Sequence, residues 1–241
     1  MRRSSIDVDA PVFNLASGDV AAIKPPRLPL SFLWEFLVDG RTPARAMTDE
    51  AMRDYLPAVE GEGTIIELGA GSDYYKKFAQ QTQKYLTSNL VPGFDMQLDM
   101  TKLDIPDNSA AALISVFAME HLFEYEAAIK EQYRALVPGG RMLLIVPFMY
   151  YYHAAPDDFF RFSASALDRL LAPFKVLVRQ PIGGRWLLFA EFLHEKKVMG
   201  SSKGFFARLA LRCLAMPFLA RALRQHDARY ALCFAYLCEK K

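Results

Sequence analysis

Two stretches of the 241-residue chain gather side chains that can do chemistry. Glu67-Leu-Gly-Ala-Gly-Ser72 places two glycines directly after an apolar run, where backbone can approach a ligand closely and a following helix offers free N–H groups. That suits a nucleotide-like or carboxylate-bearing cofactor. Farther on, Phe148 to Phe162 collects aromatic residues around His153, Asp157, Asp158 and Arg161. An imidazole with an ordinary pKa of about 6.5 is a natural general base near neutral pH, and Asp157 or Asp158 can orient it. Tyr150, Tyr151, Tyr152 and Phe159 can wall the space around it. The plainer reading of the same residues has Pro156-Asp157 opening a helix, with Arg161 paired to Asp157 one turn on.

Both stretches need strands that deliver them to one edge of a sheet. Gly63 to Gly69 reads as an apolar strand ending in glycine, and the spacing of Tyr74, Phe78 and Gln81 predicts a helix over 73–83. Lys84 to Asn89, Ala111 to Val116, Arg141 to Pro147 and Phe174 to Arg179 read as further strands. Tyr125 to Leu136 reads as a helix stopped by Val137-Pro-Gly-Gly140, and Ser163 to Leu171 as a helix capped by its serine. Strands alternating with helices imply an α/β domain with a doubly wound, mostly parallel sheet and helices on both faces.

Around this domain, residues 1–46 read as a proline-interrupted arm with one short helix near Ser31 to Val38, packing on a domain that spans 47–241. The Thr48-Asp49-Glu50 run places a helix start near Met47. Residues 183–229 read as a helical insertion before a last strand, Tyr230 to Cys238.

The glycine turn, the Leu98-Asp99-Met100 step leading to Leu103-Asp-Ile-Pro106, the Ser115-Val-Phe-Ala-Met-Glu-His-Leu122 segment and the Ala135-Leu-Val-Pro-Gly-Gly140 turn together resemble the Rossmann-like (class I) S-adenosylmethionine-dependent methyltransferases, type 11 group. Order and spacing agree over about 60–180. The resemblance implies an enzyme that binds S-adenosylmethionine, with Glu67, Gly69, Ala70 and Gly71 against its methionine part. It places Asn89 at the ribose, Asp99 and the Met100 backbone at the adenine edge, and Phe117 near the adenosine or methyl end. Asn89 stands where the family usually carries an acid, and Asp73 where many relatives carry a third glycine; both departures imply altered cofactor binding. A dehydrogenase fingerprint, G-x-G-x-x-G, fails at Tyr74.

The Phe148–Phe162 run resembles an element of methyltransferases associated with glycans and small metabolites, which implies transfer to a hydroxyl of a small molecule or glycan. His153 is then the expected base and His121 the second candidate, with Asp157 as partner and Tyr151, Tyr152, Asp158 and Arg161 toward the substrate. His194 and His226 read as surface residues. No His/Asp/Glu spacing suggests a metal, so a metal-independent reaction is expected. The other reading is a methyltransferase-like binding protein without turnover.

Composition narrows the partners. With 29 Lys and Arg against 27 Asp and Glu, the net charge of +2 gives no global field for nucleic acid. Three cysteines without paired spacing point to neither a disulfide framework nor structural zinc, and the mixed N-terminus to no signal peptide, so a cytoplasmic protein is expected. The 205–224 stretch reads as a basic amphipathic helix kinked or broken at Pro217. It packs on its own domain, makes a homodimer interface, or lies on an anionic membrane surface, the first two being favoured.

Overall fold

The computed structural model describes residues 26–59, 63–79, 84–154, 156–194, 205–222 and 226–241. Most of the expected arm (1–25), the end of the expected 73–83 helix, residues 195–204 and Arg224 lie outside the described residues. Two helices precede the sheet, α1 (Ser31–Asp39) and α2 (Pro43–Val59). Seven strands follow: β1 (Thr64–Leu68), β2 (Lys84–Asn89), β3 (Met96–Gln97), β4 (Ala110–Val116), β5 (Leu136–Pro147), β6 (Lys175–Ile182) and β7 (Cys233–Glu239). Between them lie α3 (Tyr125–Ala135), α4 (Ala164–Leu170), α5 (Arg185–Phe192) and a long helix, α6 (Phe205–Ala222).

The strand order is β3-β2-β1-β4-β5-β7-β6. All neighbours run parallel except β7, which lies antiparallel between β5 and β6. This is the expected Rossmann-like sheet, and its order reverses between β1 and β4, where ligands of such sheets sit beyond the carboxyl ends. Alternation along β5 explains the two cores. Leu143 and Ile145 face Phe32, Phe36, Tyr55 and Leu219 on one side, whereas Met142, Leu144 and Val146 face Ile129 and Leu167 on the other. Buried on both faces, β7 is an unbroken apolar run.

Several boundaries move for identifiable reasons. Helix α2 starts at Pro43 rather than near Met47, because proline is pre-set for the first helical position and needs no N–H partner there. Asp49 is therefore inside the helix, fully buried, and paired with Arg41 at 2.5 Å and with the Tyr74 hydroxyl at 2.6 Å. The segment after the glycine turn forms only a 3-10 helix, Tyr74–Phe78, which closes as Ala79 turns extended. The Ser163 cap holds, its Oγ accepting the Ala166 N–H at 3.3 Å. The last strand begins at Cys233, three residues late, because Ala228–Tyr230 is a 3-10 turn started by Asp227, whose carboxylate accepts the Arg229 N–H.

Helix α6 continues through Pro217, so the proline, expected to kink or break the helix, does not end it. An interior proline costs about 3 kcal/mol, and burial of Ala215, Leu219 and Ala222 against the domain offsets it. Trp186 of α5 stacks on Phe218, and Arg212 donates to the Leu37 and Val38 carbonyls at the end of α1. The helix thus packs on its own domain. No described helix is long and apolar enough to cross a membrane.

His194 and His226 are not surface residues. The fully buried His194 sets Nε2 3.0 Å from the Gly40 carbonyl, and His226 bridges the Gly183 N–H and the Pro26 carbonyl. Each ties the N-terminal segment to the insertion.

Candidate functional site

The carboxyl end of β1 turns at Gly69 with φ of +71°, the left-handed region that favours glycine. A Cβ there would lie 2.6 Å from Ala118 Cβ, so this turn and the end of β4 fit together only without a side chain. A Cβ on Gly71, by contrast, would meet nothing within 4 Å. The turn therefore borders open space, the kind of cradle the expected cofactor requires. Met100 is buried beneath it, its Sδ 3.5 Å from the same Gly69 Cβ position. Asp99, exposed at the rim, uses Oδ1 to hold the Thr101 N–H and hydroxyl at 2.8 and 2.6 Å. Phe117 leaves β4 at φ +50°, a strained conformation for a bulky residue, and its N–H is fixed by the Ile145 carbonyl at 2.9 Å.

Two expected cofactor contacts are engaged within the protein. Asn89 donates to the Ala70 carbonyl at 2.8 Å and accepts the Val91 N–H at 3.3 Å. Its side chain braces the glycine turn. The Ala70 N–H goes to the Ser88 carbonyl at 2.9 Å and is already satisfied.

Glu67 is buried and accepts the Tyr85 hydroxyl at 2.7 Å. Burial raises its pKa to about 7, against a smaller lowering by that hydrogen bond. Below about pH 4.5 the carboxyl is protonated in folded and unfolded chains alike; between about 4.5 and 7 only the folded chain keeps the proton. Stability is therefore lost as pH rises through this window, with a limiting slope of about 1.4 kcal/mol per pH unit for one proton. Glu67→Gln keeps an acceptor for Tyr85 and should flatten that decline; urea denaturation of both proteins from pH 5 to 8 measures it. Equal slopes would show that Glu67 does not titrate there.

Beyond β4 and β5 the chain places Met119–His121 beside the aromatic loop. Ring contacts run from Phe117 to Tyr150 (5.6 Å), from Tyr150 to His153 (5.3 Å) and from His153 to His121 (5.1 Å). Beneath both imidazoles lies Glu120, fully buried. Its Oε1 is 3.4 Å from His153 Nε2 and 3.9 Å from His121 Nε2, and neither carboxylate oxygen accepts a well-formed hydrogen bond among the described residues. This carboxylate raises the His153 pKa above its usual value, against the lowering by burial.

Asp158, not Asp157, lies against His153: Oδ2 accepts the His153 N–H at 2.8 Å and is 3.2 Å from Nδ1. The Asp157 carboxylate points to solvent, and its main-chain carbonyl is 2.5 Å from His121 Nδ1. No helix forms at Pro156, and Arg161 pairs with Asp158 rather than Asp157. Arg161 also donates to the Tyr150 and Tyr151 carbonyls at 3.2 and 2.8 Å, and the pair holds the Asp158 carboxyl far below its usual range. Asp158 and Arg161 thus clasp the loop, while Tyr151 and Tyr152 reach solvent. Glu120 is the member sequence reasoning passed over. The only signal was its place beside His121 in a segment expected near the cofactor.

A cleft of about 650 Å³ between α3 and α4, lined by Tyr125, Ile129, Lys130, Tyr133, Arg169 and Leu170 among others, contains none of these residues.

Residues 65–144 match the family described as "Methyltransferase domain". No curated protein sequence matches the chain. A SAM-dependent methyltransferase from Archaeoglobus fulgidus superposes with a TM-score of 0.55 at 12% identity, over 88% of this chain and 100% of that one. The [4+2]-cyclase SpnF gives 0.54 at 16% identity, over 91% and 87%. Phosphoethanolamine N-methyltransferase 2 of Haemonchus contortus, in complex with S-adenosyl-L-methionine, gives 0.51 at 12%, over 87% and 56%. At such identities the structural likeness speaks for the fold, and the acceptor has to be argued from the site. The match over 65–144 and the sheet that carries it give the chain a methyltransferase domain on a Rossmann-like fold.

Proposed function

We propose that the protein methylates a hydroxyl of a small molecule or glycan, with His153 as the proton acceptor. The supporting observation is the unbroken ring contact from Phe117, at the cofactor side, through Tyr150 to a histidine backed by a buried carboxylate. S-adenosylmethionine supplies an electrophilic methyl group on a sulfonium. The chain's own task is to hold the acceptor oxygen in line in a space from which water is excluded. Tyr150 and Phe117 form one wall, and the exposed rings of Tyr151, Tyr152 and Phe159 form the entrance. As the oxygen attacks, its proton passes to His153 Nε2, and the charge that forms on the imidazole is stabilised by the Glu120 carboxylate 3.4 Å away. Asp158 and the Tyr151 carbonyl, both acceptors, hold the proton on Nδ1 so that Nε2 is the basic atom. His121 stands next to it as the alternative acceptor.

Calorimetric titration with S-adenosylmethionine tests the cofactor half. Asp99→Ala should weaken binding about 10- to 100-fold, the loss of a hydrogen bond to a charged acceptor. Unchanged affinity would remove Asp99 from the adenine edge. A radiolabel screen of sugar, phenol and amine acceptors then tests the hydroxyl: transfer to amines alone would overturn it.

A further inference from the structure

Three of the site's polar atoms are arranged in a way that a proton alone does not satisfy. Among the described residues His121 Nδ1 faces the Asp157 carbonyl, at 2.5 Å, and a carbonyl can only accept. His153 Nδ1 faces the Tyr151 carbonyl at 3.1 Å and Asp158 Oδ2 at 3.2 Å, again acceptors. Both imidazoles therefore carry hydrogen on Nδ1 and, when neutral, present an Nε2 lone pair on the side of Glu120. That carboxylate is itself fully buried, with neither oxygen in a well-formed hydrogen bond among the described residues. Three acceptors face one another. One proton on His153 bridges one pair and leaves His121 opposed.

We propose that Glu120, His121 and His153 form a binding site for one divalent transition-metal ion of the zinc type. The three ligand atoms lie within 4.8 Å of one another, with separations of 3.4 and 3.9 Å from Oε1 to the two nitrogens. Ligands about 2.0–2.1 Å from a tetrahedral zinc sit roughly 3.4 Å apart, so Glu120 and His153 already have the spacing and His121 must move inward. Two imidazoles and one carboxylate suit zinc in donor type and leave a fourth position open. The outer contacts are those of metal-bound histidines, whose second ring nitrogen donates to a carbonyl or carboxylate: Asp157 serves His121, and Tyr151 with Asp158 serves His153. The grouping is invisible in linear spacing because His153 arrives from a different loop.

An ion there occupies the nitrogen assigned above to the acceptor's proton, so metal binding and base catalysis by His153 exclude each other. The test is made without cofactor or acceptor, and its outcome is independent of the methyl-transfer reading. Chelator-stripped full-length protein is titrated calorimetrically with zinc chloride and, in parallel, with cobalt(II) followed by visible absorption. One ion per chain is expected, with the d–d bands of a low-coordinate N/O site. Glu120→Gln and His121→Ala should each weaken binding at least about tenfold, since loss of an outer partner alone costs that much. No saturable binding to the folded wild-type protein would overturn the proposal. So would a sulfur charge-transfer band, which places the ion at a cysteine, or affinity that neither variant changes.

Discussion

Replacing His153 with alanine is expected to lower kcat by about 10²- to 10⁴-fold, the range contributed by a positioned general base, while leaving S-adenosylmethionine affinity unchanged. The separation follows from geometry. His153 contacts Tyr150, His121 and Glu120, and no contact is seen among the described residues with the glycine-turn residues expected to hold the cofactor. Its loop should survive the change, because the contact that anchors position 153 is a backbone N–H to Asp158, and Arg161 still clasps that carboxylate. Single-turnover rates on an acceptor found in the screen, measured with chelator present, give the effect on the chemical step. His121→Ala in the same assay ranks the two imidazoles. An H153A rate within a factor of three of wild type would remove His153 as the base, and a larger loss in H121A would give that role to His121.

Gly69→Ala should be a highly damaging single methyl group. Left-handed φ costs a residue with a Cβ about 1–2 kcal/mol, and an added atom in a packed contact costs about 1–3 more. Here the added Cβ would fall 2.6 Å from Ala118 Cβ, an approach real side chains do not make. A total loss of about 2–5 kcal/mol is expected from urea denaturation, together with loss of cofactor binding as the turn and the end of β4 are pushed apart. Adding Ala118→Gly should recover the steric part and leave the backbone part. A change below about 0.5 kcal/mol for the single variant, the range of unremarkable surface substitutions, would contradict this account of the turn.

Much of the architecture was legible because it rests on local patterns. Continuous apolar runs marked the buried strands, Ser163 marked a cap, and the two-glycine turn after β1 marked the open cradle. Where reading failed, a distant partner outweighed a local signal. Pro217 should end a helix, yet α6 continues because its buried face is held by α1, α5 and the sheet. Asp49 and Glu50 look like acids at a helix start, yet Pro43 supplies the start and Arg41 compensates the buried Asp49. His194 and His226 lay in a segment that read only as helical, and their carbonyl partners are about 150 to 200 residues away in sequence.

The sequence by itself determined the sheet and the order of its motifs, since hydrophobic periodicity and turn chemistry act over a few residues; the cofactor followed from the resemblance of those motifs to a family. It also offered His121, His153 and the aromatic loop as candidates for the acceptor's side. Only the tertiary structure decided how these act together. Because β4 and β5 are parallel neighbours, the segments leaving their carboxyl ends emerge side by side, which brings Glu120 and His121 under His153 across some thirty residues of chain. The choice of Asp158 over Asp157 is likewise a matter of fold. Adjacent residues in an extended loop point opposite ways, and only the clasp by Arg161 fixes which carboxylate faces the imidazole.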